Sequence, residues 1–190
     1  MDINFRFQTK EEYRQFAKKM RASLDISHIS NAICDILTSQ KFYVSAENIL
    51  IFYPFGTEIN LKKLYTDTGK KWTLPRVENN FKDIVIHKYK IGDDLVKNKW
   101  GICEPLPDSE QEFPDNIDLA IIPALMADRY GFRLGYGAGY YDKFIPKLRN
   151  DCIKIVPLPH ELLVNTLPGN DHDIPVDFII TEHQLIDCNH

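Results

Sequence analysis

Tyr13, Phe16, Ala17, Met20 and Leu24 fall at three- and four-residue steps with polar residues between them, which predicts an amphipathic helix from about Lys10. Ile29, Ala32, Ile33, Ile36 and Leu37 repeat the spacing and predict a second helix, with Ser27 or Ser30 as its N-cap. The period then changes. The run NILIFY (48–53) is short, apolar and closed by Pro54 and Gly56, as expected of a buried strand. NLKKLYTDTG reads as a helix over 61–68, capped by Asn60 and stopped by Gly69. KWTLP (71–75) and DIVIHKY (83–89) return to strand character. DLAIIPAL (118–125), CIKIVPL (152–158) and VDFIIT (176–181) supply further strands, while EPLPDSEQEFPDN (104–116) reads as a polar, proline-rich loop.

Strand 48–53, helix 61–68 and strand 71–75 form a βαβ unit, which implies a parallel pair joined by a crossover. The expected fold is therefore α/β: one domain over residues 1–190, a layered αβα sandwich with a mostly parallel, Rossmann-like central sheet. The 190 residues suffice for one core with a cleft, and an apolar fraction of 44% is ordinary for a globular chain. A net charge of −4 disfavours a general nucleic-acid role. Cys34, Cys103, Cys152 and Cys188 lie far apart with no CxxC pair, which suits reduced thiols in a cytoplasm better than a zinc site or a disulfide lattice. The N-terminal MDINFRFQTKEEYRQ has no apolar core of a leader, and no apolar run approaches a membrane span, so no membrane partner is expected.

Ligands of open parallel sheets sit beyond the carboxyl ends of the strands. Three polar features fall there: Glu58 after strand 48–53, Arg76 after strand 71–75, and the stretch RLGYGAGYYD (133–142) after strand 118–125. Gly135, Gly137 and Gly139 alternate, which lets backbone N–H groups turn toward an anion with no Cβ in the way. Arg133 adds a forked cation suited to phosphate, the tyrosines add flat faces, and Asp142 adds a hard oxygen for magnesium. Together these suit a nucleoside triphosphate with its metal. The spacing matches neither the dinucleotide fingerprint nor a P-loop, and a purely structural tight turn is the competing reading. Asp142 could equally cap a helix over KFIPKL. Lys10 and Arg14, at i and i+4, could be a solvated helix face or phosphate contacts. Asp171, His172, Asp173 and Asp177 could be a solvated loop or metal ligands, and Glu58 could simply favour a helix N-terminus.

The segment IIPALMADRYGFRLGYGAGYYD, Ile121 to Asp142, resembles the hallmark of the 5-formyltetrahydrofolate cyclo-ligase family, a strand ending in proline followed by D-x-x-G-x-R-L-G-x-G-x-G-Y-Y-D. KEEYR (10–14), FYPFGTEIN (52–60), LPRV (74–77) and DIPVDFIIT (173–181) resemble further family segments in the same order. The resemblance implies ATP- and Mg2+-dependent closure of 5-formyltetrahydrofolate to the 5,10-methenyl compound, by a monomer. It assigns ATP to Lys10, Glu11, Glu12, Tyr13 and Arg14 and to Arg133, Leu134, Gly135, Tyr136, Gly137, Ala138, Gly139, Tyr140 and Tyr141. It assigns the folate to Tyr53 and Glu58 together with Tyr136 to Tyr140, and magnesium to Asp142 and Asp173. Lys10 and Arg133 would carry the phosphoryl transfer. Ala138 departs from the glycine or lysine usual there. A silent nucleotide sensor and a sugar-phosphate isomerase on a similar fold are the rival readings.

Overall fold

The computed structural model describes residues 9–78, 83–170 and 172–189. Helix α1 (Lys10–Arg21) starts where the periodicity predicts, because Thr9 and Glu12 form a reciprocal cap. The Thr9 hydroxyl accepts the Glu12 N–H at 3.3 Å and Glu12 Oε2 accepts the Thr9 N–H at 3.0 Å, so two N–H groups that lack helical partners are satisfied. Helix α2 (Ile26–Thr38) is capped by Asp25, not by Ser27 or Ser30. Asp25 accepts the His28 N–H at 3.0 Å, whereas the Ser30 hydroxyl lies inside the helix, donating to Ile26 O and accepting the Asn60 N–H. A short α3 (Lys41–Ser45) leads into strand β1 (Asn48–Leu50).

The crossover after β1 is a 3-10 helix, Lys62–Thr66, rather than the expected α-helix over 61–68. Leu61 and Leu64 are both buried, and residues three apart eclipse on a three-residue turn, so the tighter helix keeps both in the core. Asn60 still serves the start, its Oδ1 accepting the Lys62 N–H at 3.1 Å. Strand β2 (Lys71–Val77) then pairs parallel with β1, Asn48 opposite Lys71 and Leu50 opposite Thr73, as the βαβ reading requires. Strand β3 (Ile84–Tyr89) returns antiparallel, β4 (Leu95–Lys97) and β5 (Cys103–Pro105) make a hairpin, and β6 (Gln111–Glu112) edges the sheet. The expected loop 104–116 thus contributes to two strands and a 3-10 turn, Pro114–Asn116.

The apolar run 118–125 is divided. Strand β7 (Leu119–Ile121) lies beside β1 in the sheet, and Ile122 still donates to Ile155 O at 2.8 Å. Pro123 has no N–H to continue the ladder. The chain leaves the sheet there, and β8 (Met126–Asp128) pairs with β9 (Arg133–Leu134) in a small second sheet. After α4 (Tyr140–Phe144), β10 (Ile153–Pro157) rejoins the main sheet, β11 (Leu163–Val164) completes the small one, and β12 (Phe178–Ile180) and β13 (Leu185–Asp187) finish the main edge. The main sheet runs β13-β12-β10-β7-β1-β2-β3-β6, with β12 through β2 parallel and the outer strands antiparallel.

Alternation along the parallel strands separates two cores. Leu50, Ala120, Val156 and Ile179 face α1 and α4 with Tyr13, Ala17 and Phe144. Their neighbours Ile49, Leu119, Ile121, Ile155 and Ile180 face α2 and α3 with Ile33, Leu37 and Tyr43. Helices therefore cover both faces, the layered α/β arrangement that the strand and helix pattern predicts.

Candidate functional site

Two loops, one after β1 in the main sheet and one after β9 in the small sheet, meet beside α1. One follows β1 and makes a tight turn at 55–58, in which Glu58 N donates to Phe55 O at 3.1 Å and Glu58 Oε2 accepts the Phe55 N–H at 2.9 Å. The other follows β9 and carries the glycines into α4. Gly137 has φ +111° and Gly139, the N-cap of α4, has φ +69°, conformations that strain any residue with a Cβ. A Cβ on Gly137 would also lie 3.4 Å from the guanidinium carbon of Arg14. Arg14 reaches this loop from α1, its Nε donating to Gly135 O at 3.0 Å.

Cations and carboxylates alternate around the glycines. Lys10 Nζ is 2.6 Å from Asp173 Oδ2, and Arg133 Nη2 is 2.7 Å from Asp142 Oδ1. Arg133 also donates to Ile174 O at 2.7 Å, and only 4% of its side chain is exposed, so its fork is fixed. Burial lowers its pKa while Asp142 and Asp173 act to raise it. Burial would raise the Asp173 carboxyl, but bonds from Lys10 and the Asn170 N–H, with the charges of Lys10 and Arg133, hold it below the usual carboxylate range.

In the 55–58 turn, burial raises the Glu58 carboxyl against three opposing contacts: the Phe55 N–H, a hydrogen bond with Tyr136, and the charge of Arg21. Tyr136 therefore ties the glycine loop directly to the Glu58 turn. The Tyr141 hydroxyl is buried with no protein partner among the described residues and feels both Glu58 and Arg133. Tyr53 lies beneath Lys62, whose ammonium sits 4.0 Å from the ring centre. Phe55, Trp100 and Tyr136 are exposed and Tyr140 is half-buried, and the Trp100 and Tyr140 rings meet edge to face with their centres 6.4 Å apart.

Lys10, Arg14, the 135–139 loop, Arg133, Asp142 and Asp173 are thus one cluster, and Glu58 joins it through Tyr136. Several assigned residues stand behind that cluster instead. Glu12 belongs to the α1 cap, Tyr13 and Leu134 are in the core, and Glu11 is exposed beside Arg14 at 3.2 Å. Arg76 lies within β2 rather than beyond a strand ending at 75, and its head donates to Pro105 O at 2.7 Å and faces Glu104 at 3.7 Å. It secures the β5 hairpin. Asp142 does not cap α4, because the left-handed turn at Gly139 begins that helix three positions earlier. Asp177 is committed to Lys154, and Asp171 lies outside the described residues. The residue that the sequence reading missed is Arg21, 1% exposed behind Glu58. Its signal was present: the buried stripe Tyr13, Ala17 continues at position 21 with a charge.

Among the described residues no three or more His, Cys, Asp or Glu side chains gather as a metal cage. Magnesium does not need one, since it takes one or two carboxylates beside substrate phosphates and keeps several waters. Asp142 and Asp173, linked electrostatically through Arg133, fit that donor set. All four cysteines are free, and no helix of the described residues is long and apolar enough to cross a membrane.

A family model described as the 5-formyltetrahydrofolate cyclo-ligase family matches residues 5–182. The 5-formyltetrahydrofolate cyclo-ligase of Escherichia coli is 30% identical over 149 residues, which cover 75% of this chain and 81% of that protein. The Mycolicibacterium smegmatis protein of the same name is 29% identical over 146 residues, 73% of this chain and 75% of its own. The NMR structure of Aquifex aeolicus 5,10-methenyltetrahydrofolate synthetase superposes with a TM-score of 0.84 at 26% identity, over 96% of this chain and 94% of that one.

Proposed function

Because the chain belongs to the 5-formyltetrahydrofolate cyclo-ligase family, we infer that it converts 5-formyltetrahydrofolate to 5,10-methenyltetrahydrofolate with cleavage of ATP to ADP and phosphate. The observation that carries the site assignment is the glycine loop ringed by Lys10, Arg14 and Arg133 and bonded to Glu58 through Tyr136.

The formyl group on the folate nitrogen is an amide, a poor electrophile. Its oxygen attacks the γ-phosphorus of ATP, the bond to ADP breaks, and the formyl carbon becomes an iminium phosphate. The neighbouring folate nitrogen then attacks that carbon, and phosphate departs with the former formyl oxygen, taking up the proton that the nitrogen loses as the ring closes. No protein nucleophile is needed; positioning and charge neutralisation carry the step. The loop N–H groups and the cations Lys10, Arg14 and Arg133 bind the phosphates, and fixing Arg133 by Asp142 and Ile174 O avoids reorganisation as charge moves. Asp142 and Asp173 would hold Mg2+, which neutralises phosphate charge when bound. Glu58 accepts N–H donors of the pterin, and Phe55, Trp100, Tyr136 and Tyr140 shield its rings from water. The proposed working unit is the monomer. Unpaired cysteines suit a cytoplasmic enzyme.

The test is absorbance of the methenyl product. Purified protein given 5-formyltetrahydrofolate should form it only with ATP and magnesium together. Product without ATP, or ATP binding with no product, overturns the assignment and favours a sensor.

A further inference from the structure

Arg21 is a charged side chain among the largest fully buried ones of the described residues. It follows Tyr13 and Ala17 on the buried stripe of α1, where an apolar side chain would avoid the cost of stripping water from a guanidinium. What it touches explains the charge. Nη1 donates to Thr57 O at 3.2 Å, within the 55–58 turn, and Nη2 donates to Ala124 O where the chain leaves β7. Its nearest electrostatic partners are Tyr136 and Glu58. One forked cation therefore spans α1, the turn that carries Glu58 and the segment after β7.

We propose that Arg21 is a positioning residue for folate recognition: it pins the carbonyl next to Glu58 and holds a positive charge behind the carboxylate that receives the pterin N–H groups. The proposal rests on the reading of Glu58 as the folate's partner. The groups facing Glu58 are Arg21 from α1, Tyr136 from the glycine loop, Tyr141 from α4 and the Phe55 N–H of its own turn. Burial pushes both tyrosine hydroxyls well above their ordinary range, so both stay neutral; the Phe55 N–H and the Tyr136 hydrogen bond oppose the burial of Glu58 first, and Arg21 adds a positive charge to them. Removing that charge moves Glu58 further toward its protonated form.

The experiment compares pH profiles of kcat/KM for 5-formyltetrahydrofolate in wild type, Arg21→Gln, Arg21→Lys and Glu58→Gln, at saturating ATP and magnesium. Folding is checked by thermal melts. In Arg21→Gln the acidic limb should move to higher pH, while KM for ATP stays within about twofold. Arg21→Lys keeps the charge but cannot fork between two carbonyls. Its limb should stay in place while its folate KM rises several-fold. Glu58→Gln should lack the limb altogether. An unmoved limb in folded Arg21→Gln overturns the proposal, as does an unchanged folate KM in Arg21→Lys. If Arg21→Gln does not fold, the Lys variant decides alone. Glu58→Gln with the wild-type limb and KM overturns the assignment of Glu58 itself, and the role of Arg21 with it. A limb lost in Glu58→Gln but unmoved in Arg21→Gln overturns the role of Arg21 alone.

Discussion

Gly137 links one backbone conformation to the proposed binding of ATP. Its φ of +111° disfavours any side chain, and a Cβ there would lie in contact with the Arg14 guanidinium at 3.4 Å. Gly137→Ala should therefore cost about 1–2 kcal/mol of stability, read as a drop of several degrees in melting temperature. Displacing Arg14 and turning the loop N–H groups away should raise KM for ATP about tenfold, the scale of one charge-assisted hydrogen bond. Unchanged ATP kinetics would mean that the loop backbone does not hold the phosphates. At this scale the glycines were legible because their alternation has few other causes. Arg21 was legible only as a charge on the buried stripe of α1, because the Thr57 and Ala124 carbonyls that it holds lie far along the chain. Tyr136 was legible only as a flat face; its bond to Glu58 joins residues far apart in the chain.

At the scale of elements, α1 delivers Lys10 and Arg14 from its first turns, so its cap is part of the site's support. Thr9→Ala removes the acceptor for the Glu12 N–H and should cost about 1 kcal/mol. Fraying of the first turn should loosen the Lys10–Asp173 pair and raise KM for ATP while leaving KM for the folate nearly unchanged. Equal loss for both substrates in kinetic measurements would show that the cap supports only the fold. Periodicity gave α1 and α2 their places but not the Asp25 cap, because Ser30 looks equally suited until Asn60 is seen to take its hydroxyl. The run 118–125 hid a break because hydrophobicity is continuous across Pro123, and only the missing N–H ends the ladder. The crossover over 61–68 was read as an α-helix because a five-residue 3-10 turn presents nearly the same buried positions.

Across the whole molecule, the parallel strands bring residues far apart in sequence to one rim, which is why the pairing of Asp142 with Asp173 came from family resemblance alone. Asp142→Asn and Asp173→Asn should each raise the magnesium concentration for half-maximal rate, and the double variant should show less than the product of the two effects, because both act on one ion. Independent effects in that titration would separate the two carboxylates. The Asp173 carboxyl also links stability to pH. A carboxyl held below its unfolded value contributes stability that is complete above about pH 4 and lost as pH falls through the folded value. Melting curves of wild type and Asp173→Asn should therefore differ at neutral pH and converge in acid; a constant gap would contradict the pairing with Lys10. The central claim, that ATP activates the formyl oxygen within this rim, is tested most directly by the fate of that oxygen. With 18O in the formyl group of 5-formyltetrahydrofolate, the released phosphate should carry the label, read by mass spectrometry. Unlabelled phosphate, with the label appearing in water, would contradict it.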